Sequence, residues 1–231
     1  MKLKPNQLFF LFAIVSLLEI VFVTTNNQNL RYFTKPLIIP LLAAIYLSYQ
    51  YPRKPIFKDH ILLGLIFSWA GDVLLQAPNL FIPGLLSFLT AHVFYIIYFA
   101  KTKSDQASFF KLRPIMLIAV MAYLVEFIYI LWPSLGPMRI PVLIYGITIS
   151  TMLSAALWQY QKLENKTALY FIIGATLFVT SDSLLALNMF KEHFSMAGIL
   201  IMSTYILAQL FIVLGAIRLQ IHSQHIIAEQ Q

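Results

Sequence analysis

Eight apolar segments, each close to the length of a membrane-spanning helix, restrict the fold of this chain more than any other feature. A helix needs about 20 predominantly apolar residues to cross a bilayer, with a range of about 17–25. The predicted spans are residues 7–23, 35–49, 60–76, 83–99, 114–131, 140–158, 167–190 and 197–219. Because an open sheet is excluded from lipid, the sequence predicts an all-α membrane protein. We expect one transmembrane domain over residues 1–231, a bundle of eight transmembrane helices.

The boundaries between the spans carry turn signals. Residues 52–55, 77–79 and 132–137 combine proline with glycine or polar residues, as turns do. The second span is the short one, and Pro36 and Pro40 lie near its predicted start, where a helix loses least by lacking their N–H groups. No linker is long enough to separate two soluble domains.

The composition indicates that most of the protein surface faces lipid. Only 11% of the residues are charged, against about 25% in a typical soluble domain. The absence of cysteine excludes disulfides, thiolate metal sites and a cysteine nucleophile. The net charge of +7 comes from basic residues in short loops, so we interpret it as a signal of membrane orientation and not of nucleic-acid binding.

Loop charge predicts how the bundle is oriented. With the N-terminus inside, twelve of the sixteen Lys and Arg residues fall in inner segments and four in outer segments. The positive-inside rule therefore places both termini in the cytoplasm. Lys2 and Lys4 before the first span resemble a signal peptide, but Glu19 within the span and the lack of a small-residue cleavage site predict a retained helix.

An internal repeat relates the two halves of the chain. Residues 64–72 run from Gly to Asp and precede a leucine pair, and residues 174–182 do the same with equal spacing. The acidic residues inside apolar runs all fall in the repeat: Glu19, Asp72, Glu126 and Asp182. We therefore predict two four-helix halves, residues 1–110 and 111–231, related by a parallel pseudo-two-fold axis along the membrane normal.

The four acids predict a polar site. A carboxylate in a bilayer costs at least about 2.5–3.5 kcal/mol on insertion scales, so each needs a partner, a proton or a watery cavity. All four fall in the outer halves of their spans, and Lys35 and Arg139 lie at the outer ends of the second and sixth spans. We expect one polar cavity that opens toward the outer face. Alternatively, Glu19 and Glu126 are salt-bridge partners of Lys35 and Arg139.

Other polar side chains share helix faces at spacings of three or four residues. These pairs are Ser68 with Asp72, His92 with Tyr95, and Tyr205 with Gln209, while Ser181 and Ser183 flank Asp182. Serines in membrane helices often only bond neighbouring helices, and a satisfied buried histidine can simply brace a bundle.

Five blocks, in order along nearly the whole chain, resemble the motif series of the YhhN family of membrane lysoplasmalogenases. The blocks are Lys-Pro at 35–36, Phe-Ser-Trp-Ala-Gly-Asp at 67–72, Ser-Phe-Leu-Thr-Ala-His-Val-Phe-Tyr at 87–95, Gly-Ala-Thr-Leu-Phe-Val-Thr-Ser-Asp at 174–182 and Tyr-Ile-Leu-Ala-Gln at 205–209. One position departs from the pattern: Met189 stands where family members often carry a basic residue.

The resemblance implies an ether hydrolase. Family membership means cleavage of the vinyl ether bond of lysoplasmenyl-ethanolamine or lysoplasmenyl-choline to a fatty aldehyde and glycerophospho-ethanolamine or glycerophospho-choline. It implies no metal and no cofactor. The partners we expect are the lysophospholipid substrate and membrane lipids, with no nucleic acid and no obligatory protein partner, in a bacterial inner (cytoplasmic) membrane.

Two carboxyl groups in different states can divide the work of cleaving a vinyl ether. Protonation of the β-carbon needs a carboxylic acid that keeps its proton near neutral pH, a form that burial favours. An ionised carboxylate then stabilises the oxocarbenium ion and activates water, as in glycosidases. We predict Asp72 and Asp182 as the catalytic pair, and the sequence leaves open which is the acid.

The remaining polar residues are predicted to bind substrate. They are Lys35, Ser68, His92, Tyr95, Glu126, Arg139, Ser181, Tyr205 and Gln209. Lys35 and Arg139 would bind the lipid phosphate near the outer interface, and His92, Tyr95, Tyr205 and Gln209 would orient water or the glycerol hydroxyl.

Two other functions fit the same pattern. Intramembrane acids and a parallel repeat are common in small transporters and proton-coupled carriers, although the prolines here lie mostly at span ends and not at mid-span breaks. A non-enzymatic lipid-binding protein would also need a polar cavity. Solute flux, aldehyde release or recovery of intact bound lipid distinguishes the three.

Overall fold

The fold is entirely helical in the part of the chain that the computed structural model describes, residues 4–50, 55–101, 114–161, 163 and 165–229. These residues contain eight α-helices and no strand, which confirms the predicted class and helix count. The helices are α1 Pro5–Thr24, α2 Gln28–Tyr49, α3 His60–Gln76, α4 Phe81–Lys101, α5 Pro114–Leu131, α6 Arg139–Trp158, α7 Asn165–Ala186 and α8 Ala197–Glu229.

Seven of these helices are long and apolar enough to cross a membrane, and α3 with 17 residues is shorter. A 17-residue helix still lies at the lower limit of the spanning range. The chain is therefore an integral, multi-pass membrane protein. Its predicted orientation depends partly on basic residues that lie outside the described residues, namely Lys2, Arg53, Lys54, Lys103, Lys111, Arg113 and Lys162.

Six helices form a closed ring. Along the chain, α2 packs on α3, α3 on α4, α4 on α6, α6 on α7, α7 on α8, and α8 returns to α2. Helix α1 lies outside the ring against α2 and α8, and α5 lies outside against α6. Each predicted half thus supplies three successive ring helices, while the two-fold relation between the halves stays a prediction.

Helix α2 differs from its prediction. It begins at Gln28 instead of residue 35, so Pro36 and Pro40 lie inside it. The first two turns are polar, so hydropathy did not predict them. They can still be helical because their polar groups have partners within the protein, and the side chain of Asn27 caps the helix. Since Pro40 has no N–H to offer the carbonyl of Pro36, the indole of Trp69 donates to that oxygen instead, at 3.0 Å.

The end of α7 is also irregular. The sequence predicts one span to residue 190, but the α-helix ends at Ala186 and a π-helical segment, Leu187–Lys191, follows. Such wide turns are rare and occur frequently at functional sites. Helix α8 continues past the predicted end at 219 to Glu229.

Gly174 allows α7 and α8 to approach closely. A Cβ atom at this position would lie 3.0 Å from the carbonyl oxygen of Ala208 and 3.0 Å from the nitrogen of Ile212, both in the α8 backbone. Backbone atoms cannot turn aside as a side chain can. Small residues serve this purpose at helix interfaces in membranes.

We expect Gly174→Ala to destabilise the protein by about 1–3 kcal/mol, the typical cost of overpacking. The matched control is Gly146→Ala, where the nearest atom is the terminal Cδ1 of Leu124 at 3.0 Å, which can move to another rotamer. Thermal unfolding in detergent measures both variants. Equal shifts of the midpoint would contradict this account of the α7–α8 contact.

Candidate active site

All six ring helices contribute to one cavity, located where α2, α4, α6 and α8 begin and α3 and α7 end. Its volume is about 280 Å³. The polar residues in its lining are Arg31, Lys35, Asp72, Tyr145, Ser181, Asp182 and Tyr205. The remaining wall is apolar and includes Phe81, Leu85, Phe88, Leu185, Met189 and Phe190. A polar end and an apolar wall in one space suit an amphipathic ligand.

Asp72 is buried at 2% exposure and paired with a cation. The Nζ atom of Lys35 lies 3.4 Å from Asp72 Oδ1, and the hydroxyl of Tyr205 donates to Oδ2 at 2.6 Å. The cavity therefore contains one carboxyl group whose negative charge has both a counter-ion and a hydrogen-bond donor.

Asp182 lies in different surroundings on the same cavity. The hydroxyl of Tyr145 donates to its Oδ2 atom at 2.5 Å, and its side chain is 16% exposed. The nearest basic group in the described residues is Nε2 of His92 at 3.8 Å, too far for a hydrogen bond. Neither Lys nor Arg pairs with Asp182 in this part of the chain.

A second layer of contacts lies one helical turn behind Asp72. Ser68 on α3 accepts a hydrogen bond from Gln209 Nε2 on α8 at 2.9 Å, and Tyr95 on α4 donates to Gln209 Oε1 at 2.8 Å. All three residues are buried and none lines the cavity. They connect the helices that carry Asp72 and Tyr205.

His92 occupies an aromatic environment behind Asp182. It is fully buried, with the ring of Phe178 at 4.6 Å and that of Tyr145 at 5.3 Å between centroids. Within the described residues neither ring nitrogen has a hydrogen-bond partner. The histidine thus contacts the aspartate pocket without lining the cavity, and its predicted role in orienting water stays a prediction.

The structure separates the predicted substrate-binding residues into three groups. Lys35, Ser181 and Tyr205 line the cavity, whereas Ser68, His92, Tyr95 and Gln209 lie buried behind it. Glu126 and Arg139 are exposed and outside the lining. Ser181 donates to the carbonyl of Ile201 at 3.0 Å and so joins α7 to α8.

The alternative salt bridges were wrong. Glu19 pairs with Arg31, at 3.1 Å, and not with Lys35. Arg139 donates to the carbonyl oxygen of Trp132 at 3.2 Å and lies over its ring, and no ion pair joins it to Glu126 among the described residues. Glu19 has a different partner because α1 packs beside α2 in a register that brings Glu19 to the first turns of α2, at Arg31 and Thr34.

Two of the polar residues that line the cavity, Arg31 and Tyr145, were not predicted from the sequence. Arg31 lies four residues before Lys35 and shares its face of α2, but the predicted start of that helix excluded it. Tyr145 lies within an apolar span, and the signal that could have found it is the need of a buried tyrosine hydroxyl for a partner.

No group of three or more His, Asp or Glu side chains in the described residues is arranged to hold a metal ion. The arrangement instead offers two carboxyl groups in unlike environments on one cavity. It can hold one of them ionised beside Lys35 and the other protonated beside Tyr145, which permits paired acid and base chemistry.

A family model described as the YhhN family matches residues 30–216. The chain is 34% identical to the human lysoplasmalogenase TMEM86B over 155 residues, and this alignment covers 67% of this chain and 62% of that protein. It is 34% identical over 172 residues to the human lysoplasmalogenase TMEM86A, covering 68% of this chain and 65% of that protein. A lysoplasmalogenase of Mycobacterium bovis is 27% identical over 199 residues, covering 83% of this chain and 72% of that protein.

The chain thus spans less than two thirds of the length of these human relatives. No solved structure matches it significantly.

Proposed function

We propose that this chain, which belongs to the YhhN family, is a membrane hydrolase that cleaves the vinyl ether bond of lysoplasmalogens. The observation that carries the proposal is the pair Asp72 and Asp182 on one cavity, only the first with a lysine partner. Relatives named lysoplasmalogenase support the substrate class. The products are a fatty aldehyde and glycerophospho-ethanolamine or glycerophospho-choline.

Asp182 is the proton donor in this mechanism. A charge that is largely removed from water and has no counter-ion is costly, and no Lys or Arg among the described residues pairs with Asp182. The neutral carboxylic acid is therefore its resting form. Its Oδ2 atom accepts from Tyr145, so the proton lies on Oδ1, which can turn toward a ligand in the cavity.

Asp72 is the ionised partner. The ammonium group of Lys35 at 3.4 Å and the hydroxyl of Tyr205 at 2.6 Å both stabilise a negative charge on it. This carboxylate stabilises the positive charge that develops on the substrate and accepts a proton from the attacking water. Ser68, Tyr95 and Gln209 act as positioning residues, because they fix α3 against α8 where Asp72 and Tyr205 meet.

The reaction adds one water molecule in three steps. Asp182 gives its proton to carbon 2 of the alkenyl chain, and the double-bond electrons form the new C–H bond, leaving an oxocarbenium ion at carbon 1. Water attacks carbon 1 and loses a proton to Asp72, which gives a hemiacetal. The hemiacetal breaks its carbon–glycerol oxygen bond as Asp72 protonates the leaving oxygen, and the hydroxyl proton returns to Asp182.

The apolar wall of the cavity holds the start of the alkenyl chain. A volume of about 280 Å³ lies just under the usual range of about 300–1,000 Å³ for pockets of drug-sized ligands. The distal part of a long chain therefore lies outside it, among membrane lipids. We propose a bacterial inner membrane with both termini cytoplasmic, which turns the cavity end of the ring toward the outer leaflet.

Deuterium labelling tests the proposed reaction. Purified protein in D₂O should convert lysoplasmenyl-ethanolamine to an aldehyde with one deuterium at carbon 2, because the transferred proton comes from an exchangeable carboxyl group. Mass spectrometry of the aldehyde measures the label, and an acyl lysophospholipid of equal chain length is the control. Absence of aldehyde, or aldehyde without deuterium, would contradict the mechanism. Solute flux in proteoliposomes without aldehyde release would favour a transporter.

A further inference from the structure

Glu19 is the most deeply buried acid of the cavity region, and it lies on a helix outside the ring. Its side chain has 0% exposure. Oε1 accepts from Arg31 Nε at 3.1 Å, and Oε2 accepts from the hydroxyl of Thr34 at 2.6 Å. Both carboxylate oxygens are thus engaged by α2, and α1 is fixed to the ring through them.

Arg31 is held in one orientation by these contacts but retains donors. Its Nε atom is bonded to Glu19, and Nη1 donates to Gln28 Oε1 at 3.4 Å. Nη2 has no partner among the residues that the structure describes. The side chain is 21% exposed and lines the cavity. A guanidinium held at Nε presents its outer N–H groups as a planar fork, the geometry that suits a phosphate.

The second cation of the cavity is already engaged. Lys35 lies four residues after Arg31 on the same face of α2, and its ammonium group pairs with Asp72. If Lys35 also had to hold the headgroup phosphate, it would leave the carboxylate that the reaction needs ionised. Lys35 therefore pairs with Asp72, and Arg31 is the cation of the cavity that is left to bind the ligand.

We propose that Arg31, oriented by Glu19, binds the phosphodiester of the substrate and makes the cavity selective for lysophospholipids over neutral alkenyl or alkyl glycerols. This inference rests on the proposed function for its substrate class. Glu19 is then a positioning residue: it touches no substrate and acts by holding the fork toward the cavity. Arg31 replaces Lys35 and Arg139 as the phosphate ligand.

Binding of ligands that cannot be cleaved tests this assignment independently of turnover. The probes are a saturated 1-O-alkyl lysophosphoethanolamine and the 1-O-alkylglycerol with the same chain, titrated calorimetrically against protein in detergent. Arg31→Gln should raise the Kd of the phosphate-bearing probe at least about tenfold, the loss expected for a charged hydrogen bond. The Kd of the alkylglycerol should change less than about twofold, which is less than about 0.5 kcal/mol, because this probe has no phosphate for Arg31 to bind.

Additional variants separate recognition from folding. Arg31→Gln leaves Glu19 buried without its cation, so the double variant Glu19→Gln with Arg31→Gln removes both charges and should show the same selective loss with better stability. Glu19→Gln alone should also raise the Kd of the phosphate-bearing probe more than that of the alkylglycerol, but by a smaller factor than Arg31→Gln. Lys191→Gln, at an exposed cation of the π-helical segment, is the matched control and should bind both probes normally.

Two results would overturn the assignment. Equal weakening of both probes in the double variant would show that Arg31 is only structural, and unchanged binding of the phosphate-bearing probe would show that the phosphate binds elsewhere. If wild-type protein prefers the phosphate-bearing probe through Arg31 but cleaves no lysoplasmalogen, the anion subsite stands and the proposed hydrolase function fails.

Discussion

Asp182→Asn is expected to reduce aldehyde release from lysoplasmenyl-ethanolamine by at least about 100-fold, within the 10²–10⁴-fold range of general acid catalysis. Asparagine has nearly the same shape, and its carbonyl oxygen can still accept the hydrogen bond that Tyr145 now donates to Asp182. What it lacks is the proton that carbon 2 of the alkenyl chain must receive. The loss should therefore lie in kcat, with KM changed much less.

The control for this variant is Glu192→Gln, the same change of acid to amide at an exposed residue after the π-helical segment. Turnover is measured by mass spectrometry of the aldehyde, and thermal unfolding in detergent establishes that both variants fold. Asp182→Asn with more than about a tenth of wild-type kcat would remove Asp182 as the acid, because a residue in that role contributes at least about 10².

Sequence patterns found the catalytic candidates because carboxylates are costly in lipid. Asp72 and Asp182 are conspicuous in apolar spans, and the structure places both on one cavity. Helix existence was predictable for the same reason, since hydropathy reports directly on lipid contact. Hydropathy does not show which polar side chains form hydrogen bonds or ion pairs with one another.

The pairing of Glu19 shows where that limit lies. Its partner is Arg31 and not Lys35, and the difference depends on how α1 is registered against α2, a property of side-chain packing between helices. The start of α2 was missed for a related reason: its polar first turns are satisfied by Asn27 and Glu19, so they can belong to a helix despite their low hydropathy.

Tyr145 and the π-helical segment were invisible for a different reason. Tyrosine is tolerated at many depths in a membrane, and only the structure shows that the hydroxyl of Tyr145 donates to Asp182. The wide turn at Leu187–Lys191 has no residue signature in the sequence. Both features decide the shape of the cavity, which is why its residues were predictable in part and its geometry was not.

Asp72→Asn is the second substitution expected to remove most turnover, again by at least about 100-fold. The amide cannot carry the negative charge that stabilises the oxocarbenium ion, nor accept the proton of the attacking water. It also leaves Lys35 without the counter-ion that now lies 3.4 Å away, and an unpaired buried charge is strongly destabilising. We therefore expect a lower unfolding midpoint for this variant, and recovery of the midpoint but not of turnover when Lys35→Met is added.

The two aspartates should also differ in chemical rescue, and this difference tests the assignment of acid and base. Asp72→Ala leaves a space beside Lys35 that an ionised formate can occupy, so added formate should restore part of the turnover by supplying the missing carboxylate. Asp182→Ala lacks a proton donor, and ionised formate carries no proton, so the same addition should restore nothing. Rescue of Asp182→Ala but not of Asp72→Ala would reverse the assignment. Equal rescue of the two alanine variants would contradict the assignment of acid and base, because that assignment depends on the lysine contact that Asp72 makes and Asp182 does not.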